Sequence, residues 1–243
     1  MTAHGGWSFI GNAFRNGRYS CQVGSLSMDK ALLKQARRLN LLNGGPNCPI
    51  PPIVLMTDDQ RLPDPETAIC ALPSGSMVIF RHYDHPQRAK LGAKLRAICR
   101  ARHILFLVAN DVALALRLDA DGLHFPEYRA LTDPGIYRRL PARLLRTSAC
   151  HGKKTILQLA LLPSHMRPDG VLISPIFPTR SHPGAAPMSW VEIRQTTRMC
   201  QQADMTPIGL GGITAQTIAN LRTSALASVA GIGFSGISHP PSR

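Results

Sequence analysis

The residues able to do chemistry gather just after short apolar runs. Thr57-Asp58-Asp59, Arg81-His82-Tyr83, Asn110-Asp111, His124, Ser148 to His151, Ser174 to His182, Gly211-Gly212 and Ser235-Gly236 all fall at such places. An arginine presents a planar fork that matches phosphate bidentately, so Arg81 is a candidate anion ligand. Asp111 is a candidate Mg²⁺ ligand, because Mg²⁺ commonly takes one or two carboxylates plus substrate phosphates; Asn110-Asp111 equally suits a helix cap. His124 and His151 fit acid–base work or the plainer role of hydrogen-bonded core histidines. Gly209-Leu210-Gly211-Gly212-Ile213 opens a helical stretch, and Gly233-Phe234-Ser235-Gly236 follows the last apolar run. Glycines there let backbone N–H groups approach an anion, and a helix N-terminus adds a favourable dipole. Tight turns are the structural alternative for the same glycines.

What must position these groups is an alternation of strands and helices. Apolar strands are expected at Ile53–Met56, Ser76–Phe80, His103–Val108, Gly122–His124, Leu144–Ala149, Gly170–Ile173, Pro207–Leu210 and Ser228–Ile232. Helical periodicity falls at Asp64–Leu72, Pro86–Arg102, Val112–Leu118, Lys153–Leu162, Met188–Cys200 and Thr214–Arg222, with a weaker stretch at Asp133–Leu140. Repeated βα units argue for a parallel sheet, and eight of them for closure into a (β/α)8 TIM barrel. A doubly wound open sheet is the rival architecture. The polar groups then sit at the C-terminal strand ends, where barrels of this class place their sites, and the loops after strands seven and eight are a recurrent phosphate site.

The barrel is assigned to residues 53–243. Residues 1–52 form an N-terminal extension: a Gly/Ser/Asn-rich start, an amphipathic helix over Met28–Leu42, and a breaker-rich linker from Gly44 to Pro52.

Lys+Arg 28 against Asp+Glu 14 gives a formal net charge of +14, which favours anionic partners. The basic residues are scattered in pairs such as Arg37-Arg38, Arg138-Arg139 and Lys153-Lys154, without a run interleaved with aromatics, so phosphorylated small molecules are favoured over nucleic acid. No apolar run reaches the ~18 residues of a membrane span, and no signal peptide is recognisable. The six cysteines have no CxxC spacing and several lie in apolar periodic stretches. Reduced thiols in a cytoplasmic setting are expected. Oligomeric state is not set by these features.

IVLMTDD, a strand ending in Arg81, LVANDVALALRLDADGLHF, SPIFPTRSHPG, GLGGIT and GIGFSGI, in that order, resemble the thiamine phosphate synthase/TenI family from Ile53 to about Ile237. The resemblance implies a (β/α)8 barrel. It also implies an enzyme of thiamine biosynthesis that joins hydroxymethylpyrimidine diphosphate to thiazole phosphate and releases pyrophosphate, with Mg²⁺ bound by the diphosphate. The implied mechanism is dissociative: the aminopyrimidine helps expel pyrophosphate and the thiazole nitrogen captures the cation. TenI-type relatives instead tautomerise the thiazole phosphate with a histidine as acid–base.

Position by position, the resemblance gives Arg81 a diphosphate contact and gives Asn110 and Asp111 the pyrimidine diphosphate and Mg²⁺. Thr179 and Ser181 match the Thr-x-Thr that helps hold the diphosphate, with His182 where the family has lysine. Gly212 and Ser235 match contacts to the thiazole phosphate, and His151 matches the proton-transfer histidine. Two further departures stand out: His82-Tyr83 replaces Glu-Lys, and Arg129 replaces the second Mg²⁺ carboxylate, with Glu127 nearby as a possible substitute. Three functions follow as expectations: the synthase, a TenI-like tautomerase, and a non-catalytic phosphate-ligand-binding barrel.

Overall fold

The computed structural model describes residues 27–45, 47–179 and 186–233. Eight strands close into one barrel: β1 (Ile53–Met56), β2 (Met77–Phe80), β3 (Leu105–Ala109), β4 (Gly122–Phe125), β5 (Leu145–Cys150), β6 (Gly170–Ile173), β7 (Thr206–Leu210) and β8 (Ser228–Gly231). Every neighbouring pair is parallel, including β1 with β8, where Val54 stands opposite Ala230. The helices are α1 (Lys30–Asn43), α2 (Pro65–Cys70), α3 (Arg88–Ala101), α4 (Val112–Arg117), α5 (Glu127–Thr132), α6 (Gly135–Arg139), α7 (Lys153–Ala160) and α8 (Trp190–Gln202). The expected (β/α)8 architecture is the observed one, and the open-sheet rival is excluded by the β1–β8 pairing.

Strands covered on both faces read as continuous apolar runs, which is why periodicity within each is weak. Period-two alternation nevertheless sorts their side chains. Val54, Met56, Met77, Ile79, Leu107, Ala109, Leu172, Ile208 and Ala230 form an inner cluster, while Leu55, Val78, Phe80, Phe106, Val108 and Val171 join the larger cluster under the helices. His124 is paired in register with Ala109 and with Thr147, so these polar residues belong to the inward set.

Two expected helices differ. Within the stretch near Asp133–Leu140 the helix is the short α6, and an unexpected α5 precedes it; the two are separate because a residue before proline is disfavoured in the helical region and Asp133, ahead of Pro134, sits at φ −134° and ψ 63°. After β7, a 3-10 helix covers only Ile218–Thr223. Thr214 and Thr217 hydrogen-bond each other's backbone N–H groups there, the local competition that delays a helix.

The helix of the N-terminal extension packs on the barrel. Leu32, Ala36 and Leu39 of α1 are in the main core. Its start is tied to the chain entering β2 (Met28 N–H to Ala71 C=O), and its end to the chain entering β8 (Asn40 Nδ2 to Ala227 C=O at 3.0 Å, Asn43 Nδ2 to Leu226 C=O at 2.7 Å). Helix α1 therefore crosses beneath the N-terminal ends of β2, β1 and β8. Ile50, in the stretch read as a linker, is fully buried in the inner cluster. Gly170 makes room for it, since a Cβ there would stand 3.0 Å from the Ile50 side chain. Among the cysteines, Cys48, Cys99, Cys150 and Cys200 are free thiols, whereas Cys70 is disulfide-bonded, against the expectation of six thiols. Burial pushes the Cys99 and Cys150 thiols up to about 12, so both behave as small hydrophobes. No described helix is long and apolar enough to cross a membrane.

Candidate active site

The C-terminal ends of β1 to β5 bring the candidate groups onto one continuous arc of the barrel rim. Thr57, buried at the end of β1, organises the first part of it. Its Oγ1 accepts from the Arg81 backbone N–H at 2.9 Å and lies 2.8 Å from His82 Nδ1, while its carbonyl accepts from Arg81 Nε at 3.0 Å. Arg81 Nη2 reaches Asp58 Oδ2 at 2.5 Å. Burial alone would raise the Asp58 pKa. Hydrogen bonds from Arg61 and the charges of Arg61 and Arg81 outweigh it and hold the carboxyl well below the usual range. His82 is buried and stacks on Phe80; desolvation lowers its pKa, which keeps it neutral near pH 7.

At the end of β3 the chain turns at Asn110, which sits at φ +55°. A non-glycine residue in that region is uncommon, and asparagine tolerates it better than most. The turn is held by the Asn110 N–H donating to the His124 carbonyl at 2.8 Å. Asp111 then caps α4: Oδ1 accepts from the Leu114 N–H at 2.9 Å. Its other oxygen, Oδ2, accepts from Arg88 Nη1 at 2.8 Å. Arg88 also donates through Nη2 to the Ala109 carbonyl at 2.9 Å, and its guanidinium stands 5.4 Å from the Phe80 ring centroid and 5.6 Å from that of Tyr83. On the far side of the pair, Arg129 Nη1 is 2.7 Å from Asn110 Oδ1 and 3.2 Å from its carbonyl, with the guanidinium 5.5 Å from the Phe125 ring centroid. Asn110 Nδ2 donates to the Tyr128 hydroxyl at 3.3 Å.

His124, on β4, is buried inside the barrel. Thr147 Oγ1 donates to the Leu123 carbonyl at 3.3 Å, so its 3.0 Å contact with His124 Nδ1 is one in which the imidazole donates. Burial, and then the charge of Arg81, lower the His124 pKa to about 3. This is the satisfied core histidine of the two readings open from the sequence.

His151 follows β5 and is largely exposed. Its Nε2 lies 3.9 Å from Glu127 Oε2 and its Nδ1 3.5 Å from the Ser174 hydroxyl. Glu127 also accepts from the Thr155 hydroxyl and, at 3.4 Å, from the His151 backbone N–H. Glu127 is therefore engaged with His151 rather than with Asp111.

The remaining arc is glycine-built. Gly211 and Gly212 take φ +102° and φ +64°. The loop after β6 lies directly against them: Phe177 N–H donates to the Gly211 carbonyl at 3.1 Å, and a Cβ on Gly212 would come within 2.5 Å of the Pro178 carbonyl oxygen. The Gly212 carbonyl accepts from Thr217 Oγ1 at 2.9 Å. Thr179 is half-buried at the end of the same loop. Ser181, His182 and Ser235 lie outside the described residues.

Sequence reasoning missed Arg88 and Tyr128. A signal for Arg88 existed: it opens α3, whose first turn carries no acidic residue, and a cation there opposes the helix dipole.

A divalent metal does not fit the residues at Asn110-Asp111. Both Asp111 oxygens are engaged, and guanidiniums stand on either side of the pair where oxygen ligands would be needed. Among the described residues, no group of three or more His, Cys, Asp or Glu is placed to hold an ion.

The family model described as thiamine monophosphate synthase matches residues 53–234. The thiamine-phosphate synthase of Alcanivorax borkumensis is 29% identical over 183 residues, covering 72% of this chain and 78% of that protein. That of Roseiflexus castenholzii is 30% identical over 190 residues, covering 73% and 78%. Among solved structures, the thiamine phosphate pyrophosphorylase from Pyrococcus furiosus superimposes with a TM-score of 0.59 at 18% identity, over 74% of this chain and 84% of that one, a likeness of fold.

Proposed function

The chain belongs to the thiamine monophosphate synthase family, and from that premise we propose that its rim joins hydroxymethylpyrimidine diphosphate to thiazole phosphate with release of pyrophosphate. The observation that carries the reading is the arginine-rich arc over β2 to β4, joined on one rim by the Gly211-Gly212 turn after β7. One arc offers guanidinium donors to a diphosphate, and the other offers close backbone approach to a monophosphate.

In this reading Arg81 and Asn110 meet the diphosphate ester, and Thr179, Ser181 and His182 take the part of the family's Thr-x-Thr-Lys motif that helps hold it. Gly212 and Ser235 hold the thiazole phosphate. Departure of pyrophosphate leaves a cation on the pyrimidine methylene, and the thiazole nitrogen attacks it. The chain's own contribution is to align the two partners and to stabilise charge gathering on the leaving group. In the family, Mg²⁺ carried with the diphosphate supplies part of that stabilisation. Asp111 would be its ligand, but the donor set does not fit a metal, and no step is assigned to one.

His151, with Glu127 and Ser174 beside it, supports a second reading. An exposed imidazole with a carboxylate nearby suits proton transfer, as a TenI-like tautomerisation of thiazole phosphate requires. The deciding experiment incubates the full chain with both substrates and Mg²⁺ and follows thiamine phosphate. Product well above the uncatalysed background is expected. No product, with thiazole phosphate binding intact, retires the synthase reading in favour of the tautomerase or a non-catalytic binder.

A further inference from the structure

The Asn110-Asp111 pair lies between two fixed cations. The Arg88 guanidinium stands over the Phe80 and Tyr83 rings and that of Arg129 over the Phe125 ring, each within about 6 Å of the centroid. Cation–π attraction helps hold both charges in place, and Arg88, with Nη1 on Asp111 and Nη2 on the Ala109 carbonyl, acts on an anion through its charge. Arg81 lies on the same rim, directly after β2, which pairs with the β3 strand that leads into Asn110-Asp111. Arg81 and Arg88 are each paired with a carboxylate, Asp58 and Asp111. Arg129 instead meets the neutral oxygens of Asn110, and both contacts use one nitrogen, Nη1. Tyr128, exposed above them, accepts from Asn110 Nδ2, so its own proton points elsewhere.

Together these groups form a cradle for an anion of high charge density. A divalent ion at the same place would face two guanidiniums and a carboxylate already in use. We propose that the diphosphate half of this rim works with guanidinium in place of a divalent metal: Arg88 and Arg129, with Arg81, neutralise the phosphoryl oxygens, and the site takes a diphosphate without Mg²⁺. The naming of the diphosphate rests on the synthase reading, whereas the anion chemistry rests on the geometry.

Inorganic pyrophosphate is the probe, titrated calorimetrically into the full chain in EDTA and again with Mg²⁺. Saturable binding in EDTA is expected, with Mg²⁺ tightening it by no more than about threefold. Arg129→Asp would restore a carboxylate beside Asp111. It should weaken binding in EDTA by about tenfold or more and make binding depend on Mg²⁺. Arg129→Gln, which keeps the stem without the charge, should show the same loss in EDTA and serves if the aspartate variant does not fold. Pyrophosphate that binds only when Mg²⁺ is added, or not at all, overturns the proposal, as does unchanged affinity in Arg129→Gln. The synthase reading fails separately: pyrophosphate held in EDTA with no thiamine phosphate formed leaves the cradle standing and removes the reaction.

Discussion

Arg88 Nη1 meets Asp111 Oδ2 at 2.8 Å across 23 positions of sequence, tying the first turn of α3 to the cap of α4. The pair is unequal in exposure, 16% for the arginine side chain and 37% for the aspartate. Its ionic part is therefore screened, and much of what Arg88 contributes comes from the Ala109 carbonyl and the two rings.

Arg88→Ala is accordingly expected to cost about 1–2 kcal/mol, the sum of a lost charged hydrogen bond and modest cation–π contacts. Arg88→Lys keeps the charge without the fork and should recover less than half of that. Thermal unfolding of Arg88→Ala, Asp111→Asn and the double variant measures the coupling. Strict additivity of the two single effects would show that the pair does not act together.

His151→Asn separates the two chemistries. For a tautomerase, removing the acid–base group should lower kcat by about 10²–10⁴-fold. For the synthase, thiamine phosphate formation should fall by less than about tenfold, because positioning and charge stabilisation carry the rate. Parallel assays of both reactions on the one variant decide. A large loss of synthase turnover at unchanged KM would refute the assigned division of labour.

Gly212→Ala should be damaging out of proportion to one methyl group. The backbone is at φ +64°, and the added carbon would press on the Pro178 carbonyl at 2.5 Å. Strain of this kind costs about 1–3 kcal/mol. The expected readout is weaker thiazole phosphate binding by at least about tenfold, as the loop after β6 is pushed away. Wild-type binding by a folded Gly212→Ala protein would detach this turn from the phosphate site.

Acid should weaken the fold through its buried histidines. Burial depresses the His124 pKa to about 3 from 6.5, so between those values the unfolded chain binds a proton that the folded one refuses. Stability is thus complete above pH 6.5 and declines as pH falls toward 3, by at most about 1.4 kcal/mol per pH unit for each such group. His82 is shifted in the same direction by burial and adds to the slope. Asp58 acts lower: its depressed pKa gives stability that is present above 3.8 and lost below it. Denaturant unfolding between pH 7 and 4 therefore isolates the histidines. His124→Gln should flatten that slope, and an unaltered slope would remove His124 as its source.

The barrel was legible because each strand is a short apolar run ended by polar residues, and no tertiary knowledge is needed to count them. Asn110-Asp111 and the Gly211-Gly212 turn were legible for a similar reason: left-handed backbone and helix capping are local demands. Arg88 was not, because its meaning comes from Asp111, 23 positions away, which only the pairing of β2 with β3 brings near. Glu127 illustrates the same limit. Its spacing from His124 offers it as a metal ligand, yet the end of β5 and the first turn of α7 deliver His151 and Thr155 to it instead. Ile50 sits among breakers that read as a linker, and only the space left by Gly170 explains why it is buried.

The path of α1 bears on how the ring keeps its shape. A closed sheet has one seam that joins the two ends of its repeat, here β1 with β8, and that seam carries the largest loop-closure cost of any strand pair. By gripping the approaches to β2 and β8 from below, Asn40, Asn43 and Met28 act as a clasp across it. The amides of β8 should then exchange with solvent together with those of α1, as one cooperative unit, rather than with their neighbours in β7.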